Sequence, residues 1–208
     1  QPKCNMATGE LVSMEALARW QKSDGTFVSP EEFIPLFESS GFITRFDMYI
    51  WKSVCKTLAA WQDKGCKLVP ISINVSMIDI TNIDVPQYLS MLTEQYHISP
   101  EYLPVEITES VFAESNTIVK NTITRFHKKG FYVLMDDFGS GYSSLNVLKD
   151  ANVDYLKLDM KFMQIDAKNK GKGIQILKSI VDMAHRLDLV IIAEGVETKE
   201  QSEILKSM

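Results

Sequence analysis

Five carboxylates recur where short β-branched runs give way to polar residues: Glu15, Glu106, Asp136, Asp137 and Glu194. Asn74 ends another such run, and Lys157 lies near the end of a sixth. Oxygen-only donors of this kind select hard cations such as Mg²⁺ or Mn²⁺ over zinc. Gathered in one mouth, the carboxylates would repel one another without cations. Two metal ions about 3.5–4 Å apart, bridged by one carboxylate, would relieve the repulsion and activate water for in-line attack on a phosphodiester. Taken singly each residue has a plainer explanation, since a lone Glu at a strand end is usually solvated and Asp-Asp is a common turn. The weight lies in their joint occurrence at successive strand ends.

Composition favours the same chemistry. A formal net charge of −5 over 208 residues argues against binding a nucleic-acid polymer, which needs clustered Lys and Arg. A phosphate-ester substrate would therefore require recruited cations. Cys4, Cys55 and Cys66 are odd in number and lack CxxC spacing, so reduced thiols are expected. His97, His127 and His185 read as surface or helix-end residues. No apolar run reaches the ~20 residues of a membrane span, and the first residues do not resemble a signal peptide. A cytoplasmic location is expected, including as the cytosolic part of a membrane-anchored protein.

Residues of these types must be positioned by strands. Strands are expected over Leu11–Leu17, Lys67–Asn74, Leu103–Thr108, Phe131–Asp136, Tyr155–Leu158 and Val190–Glu194. Helices are expected over Pro30–Ser40, Arg45–Lys64, Val85–Tyr96, Ser115–Lys129, Ser144–Lys149 and Lys172–Leu187. Ser29-Pro30-Glu31-Glu32 looks like a capping box, as does Thr198-Lys199-Glu200-Gln201 before a last helix. Gly41, Gly65 and Gly130 sit where helices should stop. Lys168–Gly173 reads as a solvated basic loop. Alternating strands and helices imply an α/β fold of one domain over residues 1–208. Polar clusters at the ends of many strands favour a (β/α) barrel over an open sheet, which concentrates its site in one crevice. Asp136 and Asp137 should point oppositely in a continuing strand, so both reach one site only if the strand ends there.

Several of these segments are motifs, and in order they resemble the EAL family of bacterial cyclic-di-GMP phosphodiesterases along essentially the whole chain. They are Glu15-Ala16-Leu17, Asn74-Val75-Ser76, Glu106-Ile107-Thr108-Glu109-Ser110, Asp136-Asp137-Phe138-Gly139 and its continuation to Leu145, Lys157-Leu158-Asp159, and Ala193-Glu194-Gly195-Val196-Glu197-Thr198. The resemblance implies a TIM-like (β/α)8 barrel. It also implies that Glu15, Asn74, Glu106 and Asp136 hold one Mg²⁺ or Mn²⁺ ion while Asp136, Asp137 and Glu194 hold a second. Lys157 would position or help deprotonate the attacking water, and Glu194 is a candidate base. Arg19, Gln1 and Glu197 are implied on the substrate side. Glu109 would brace the loop from Asp137 to Ser144, which in family terms links metal binding to dimerisation. The reaction would convert cyclic di-GMP to linear pGpG. A homodimer and further signalling domains in the parent protein are implied as partners.

By the same resemblance the chain begins at the end of the family's first strand and stops before its final one. A catalytically silent cyclic-di-GMP receptor and a dimerisation module are the alternatives. Degenerate members usually substitute metal ligands, and no such substitution occurs here.

Overall fold

The protein is described by a computed structural model covering residues 1–113, 117–139, 147–149, 151–158 and 170–208. Seven strands form one sheet: β1 (Pro2–Cys4), β2 (Leu11–Glu15), β5 (Ile71–Asn74), β6 (Val105–Thr108), β7 (Val133–Phe138), β8 (Tyr155–Leu158) and β9 (Val190–Ala193), adjacent in that order. β1 runs antiparallel to β2, and every later neighbour is parallel. A separate two-strand ribbon pairs β3 (Trp20–Gln21) with β4 (Phe27–Val28).

The sheet is strongly curled. Four inter-strand steps separate β2 from β8, which in a flat sheet would be roughly 19 Å at about 4.8 Å per step. Yet Lys157 Nζ on β8 lies 3.3 Å from Glu15 Oε2 on β2. Side chains meet across the interior only because the sheet wraps into a TIM-like barrel. The expected strand-end clusters therefore converge at one mouth, as the barrel reading requires.

Parallel neighbours need crossovers, and helices supply them. In chain order these are α1 (Pro30–Ser39) and α2 (Ile43–Asp63), α3 (Met77–Asn82) and α4 (Val85–Gln95), α5 (Glu109–Ala113) and α6 (Thr117–Lys128), α7 (Lys170–Arg186), and α8 (Lys199–Lys206). Trp51, Leu58, Leu89, Phe126 and Phe131 are fully or almost fully buried in the core that also holds Ile73, Val105, Val133 and Leu156 of the strands. Gly41, Gly65 and Gly130 all have positive φ beyond helix ends, where a side chain would strain the backbone.

Several details differ from the sequence expectations. β2 ends at Glu15 and β5 begins only at Ile71, so Leu17 and Lys67 lie outside strands. The short elements β1, β3, β4, α3 and α5 carry too few residues to show a period. Ser29 is an N-cap with Pro30 following, but its side chain makes no capping hydrogen bond. Thr198 does form the full box with Gln201, and so does Ser76 with Asp79. The basic segment expected as a loop has already entered α7 at Lys170. The expected helix start at Ser144, the part of the expected Asp137–Ser144 loop from Ser140 onwards, and Asp159 lie outside the described residues.

The Ser76–Asp79 box leads to a pH prediction. Asp79 is fully buried, with Oδ2 accepting from Ser76 N at 2.9 Å and Ser76 Oγ at 2.8 Å, while Oδ1 has no partner among the described residues. Asp47 of α2 faces it. Burial, then the charge of Asp79 and hydrogen bonding with it, push the Asp47 carboxyl up to about 9, so at neutral pH it is protonated and able to donate towards Asp79. An unfolded Asp titrates near 3.9. The stabilisation is therefore fully present below about pH 4 and is lost as pH rises through about 9. Asp47→Asn, which donates without titrating, is expected to stabilise the fold by about 1–2 kcal/mol at pH 8 and hardly at all at pH 4. Urea melts at the two pH values measure the difference.

Candidate active site: a carboxylate-lined barrel mouth

Each strand end delivers its residue by ordinary strand geometry. Glu15 and Asn74 are the last residues of β2 and β5, Glu106 and Lys157 sit within β6 and β8, and Glu194 directly follows β9. Pairing fixes their heights, with Glu15 opposite Ser72 and Asn74 opposite Glu106. Behind Asn74, the Trp51 indole donates to its carbonyl at 3.0 Å, anchoring the strand end to α2.

Asp136 and Asp137 reach the mouth by a different route from the one expected. β7 does not stop at Asp136 but runs on to Phe138, with an irregularity in its pairing to β8 between Met135 and Phe138. Asp137 takes φ +56°, an uncommon conformation for a non-glycine residue, and its N–H donates to Asp136 Oδ1 at 2.8 Å. This bulge-like break in alternation lets both side chains serve one site. Two sets of carboxylates then offer oxygens within 4.8 Å of one another: Glu15, Glu106 and Asp136, and Asp136, Asp137 and Glu194. Asp136 belongs to both. Asn74 Nδ2 lies 3.4 Å from Glu15 Oε1, which brings the amide to the first set.

Lys157 stands between them. Its Nζ lies 2.5 Å from Glu106 Oε2, 2.8 Å from Glu194 Oε1, 2.9 Å from Asp136 Oδ1 and 3.3 Å from Glu15 Oε2. Burial disfavours its ammonium form, but Glu106, Asp136 and Glu15 outweigh burial and raise its pKa above the ordinary lysine value. Burial also opposes ionisation of Glu106, yet Lys157 and Lys3 hold that carboxyl below the usual range. Glu15 is raised, by burial first and by Glu106 second, against the pull of Lys157 and Lys3.

The remaining sequence candidates occupy the periphery. Glu109 is buried at the start of α5, and its Oε2 accepts from Gly139 N–H at 2.8 Å, at the end of β7. Arg19 is exposed and donates to the Ala18 carbonyl at 2.8 Å. Gln1 and Glu197 are exposed and outside both carboxylate sets; the Gln1 main-chain nitrogen donates to the Glu15 carbonyl at 2.7 Å.

Two features escaped sequence reasoning. Lys3, on β1, donates to Glu106 Oε1 at 2.5 Å and to Ser72 Oγ at 2.9 Å. Just past Glu15, a cavity of about 310 Å³ is lined by Arg19, Trp20, Phe33, Phe37 and Phe46 among others. Trp20 stacks on Phe37 with centroids 5.9 Å apart and planes at 23°. Only the Phe33–Phe37 spacing on α1 was available in sequence to hint at it.

The fold and this mouth together define a TIM-like barrel with a carboxylate-rich site at its strand ends. The chain belongs to the EAL domain family, whose model matches residues 1–208. It is 36% identical over 207 residues to the probable cyclic di-GMP phosphodiesterase PdeB of Escherichia coli (strain K12), covering 99% of this chain and 39% of that protein. It is 34% identical over 208 residues to the oxygen sensor protein DosP of the same strain, covering all of this chain and 26% of that one. Among solved structures, the EAL enzyme Bd1971 in its cAMP- and cyclic-di-GMP-bound form superposes with a TM-score of 0.90 at 28% identity, over 100% of this chain and 57% of that one. The chain thus spans about a quarter to two-fifths of these two curated relatives. Among the described residues no helix is long and apolar enough to cross a membrane.

Proposed function

We propose that this chain hydrolyses one phosphodiester bond of cyclic di-GMP, giving linear pGpG, with two divalent cations, Mg²⁺ or Mn²⁺, as cofactors. The observation that carries the reading is the pair of carboxylate sets sharing Asp136 in a chain of this family. The donor set fits the cations: the ligand atoms are hard oxygens, and among the described residues their negative charge is met by Lys3 and Lys157, which leaves a surplus. Glu15, Asn74, Glu106 and Asp136 would hold one ion, and Asp136, Asp137 and Glu194 the other. When bound, the ions would supply a water of lowered pKa and neutralise phosphate charge.

The chain's own groups would do the rest. Arg19, whose guanidinium is exposed beside the mouth, would bind a substrate phosphate, and the aromatic cavity next to it offers apolar faces for a base. Gln1 and Glu197 would contact the substrate rim. Lys157, held as an ammonium by its carboxylate partners, would point an N–H at the attacking water rather than take its proton. Glu194, partly exposed at the mouth, would accept that proton as the water oxygen bonds to phosphorus and the bond to the ribose oxygen breaks, the leaving oxygen taking a proton from solvent to become the ribose hydroxyl. Glu109, through Gly139, would hold the end of β7 and the segment after it. A longer signalling protein around this domain fits the short share of its relatives that the chain spans, and a cytoplasmic homodimer is carried over from the sequence expectation and family resemblance.

Incubation with cyclic di-GMP and Mg²⁺ or Mn²⁺, with products separated by chromatography, is expected to yield pGpG, and excess chelator to stop it. Tight binding with no product would favour a silent receptor, and product formation in chelator would refute the cation requirement.

A further inference from the structure

We infer that Lys3 is a positioning residue for Glu106, fixing which of its two oxygens faces the cation site and setting how tightly that site holds a cation. This rests on the proposed reading of the mouth as a divalent-cation site. Glu106 is 1% exposed, and its two oxygens are divided between two lysines. Lys157 takes Oε2 at 2.5 Å, together with three further carboxylates. Lys3 takes Oε1, also at 2.5 Å, and its remaining contact is Ser72 Oγ.

The two lysines differ in what a cation would do to them. Lys157 sits among the carboxylates of both sets, so an arriving cation competes for the same oxygens and must displace part of its bonding. Lys3 approaches from β1, and neither Glu106 Oε1 nor Ser72 Oγ brings it into contact with Asp136, Asp137 or Glu194. It can keep its hold with the site loaded. Ser72 Oγ is itself fixed, donating to the Met14 carbonyl at 3.1 Å, so the ammonium has a rigid seat. With Oε1 held by Lys3, Glu106 would offer a cation only Oε2, the oxygen it must yield from Lys157, and cannot swing both into the site.

Charge adds a second consequence. The two sets contain five carboxylates, against which the described residues set two ammonium groups in contact with them, Lys3 and Lys157, a formal surplus of three negative charges. Two divalent cations would bring four positive charges. Removing Lys3 brings the surplus to four, so cations should bind more tightly while the carboxylate that receives one of them loses its orientation.

The test measures Mn²⁺ affinity by calorimetry and turnover of cyclic di-GMP on the wild type, Lys3→Met and Lys3→Gln. Both variants are expected to bind Mn²⁺ at least about fivefold more tightly, from the loss of a like charge at short range, while kcat for Lys3→Met falls at least about tenfold and Lys3→Gln, which keeps a donor, falls less. A merely structural lysine would weaken Mn²⁺ binding on removal. Unchanged or weaker Mn²⁺ binding in folded Lys3→Gln, or wild-type kcat in Lys3→Met, would overturn the inference. A wild type that binds Mn²⁺ but makes no pGpG would refute the proposed reaction while leaving the affinity comparison intact.

Discussion

Asp136→Asn is expected to reduce hydrolysis of cyclic di-GMP by about a thousandfold or more, the scale lost when a preorganised electrostatic group is removed from an active site. Asp136 alone belongs to both carboxylate sets, so the substitution weakens both proposed ion sites, whereas loss of Glu15 or Asp137 touches one. Asn keeps the volume and one oxygen. The fold should tolerate it, because Lys157 retains Glu106, Glu194 and Glu15 as partners and one of five mutually repelling carboxylates is gone. Turnover at saturating Mn²⁺, alongside a thermal melt, separates this outcome from misfolding: kcat should collapse with Tm within a few degrees of wild type.

Lys157→Met should reverse that pattern. Lys157 is 1% exposed and its ammonium bonds four carboxylates, so its removal leaves Glu106 and its neighbours with an uncompensated buried charge. Breaking a buried ion pair by deleting one partner costs about 3–5 kcal/mol. Because its pKa is raised, the stabilisation is fully present below the unfolded lysine value near 10.4 and is lost only as pH rises through the still higher folded value. The loss should therefore be complete at pH 7. Divalent cations would replace the missing positive charge, so the deficit in Tm measured in chelator should shrink in millimolar Mn²⁺. Turnover should remain low in both conditions, since the proposed N–H to the attacking water is gone. A deficit independent of Mn²⁺ would place Lys157 outside the cation site.

Much of this mouth was legible in sequence because barrels place chemistry at strand ends, and strand ends are local. Glu15-Ala16-Leu17, Asn74-Val75-Ser76 and Glu194-Gly195 each mark the point where a β-branched run turns polar. What sequence could not supply was the distance across the interior. Lys3 lies in Pro2-Lys3-Cys4, three residues of strand too short to show alternation, and its partner Glu106 is 103 positions away. Nothing in either segment announces that they meet. Asp137 shows a subtler limit. Period-two reasoning correctly found a conflict between adjacent aspartates facing one site, but the chain resolves it with a positive φ and a pairing irregularity rather than by ending the strand. The Asp47 and Asp79 pair was hidden for the same reason as Lys3, since burial of a carboxyl between two helices is a property of packing.

Whether the carboxylates that share Asp136 hold two cations decides the proposed chemistry. Equilibrium dialysis of the metal-free protein against Mn²⁺, with bound manganese quantified per chain, tests this without depending on substrate or turnover. Two ions per wild-type chain, and fewer than one per chain of Asp136→Asn at the same free Mn²⁺, is the predicted result; a wild type that binds none, or an Asp136→Asn protein that still binds two, would contradict it.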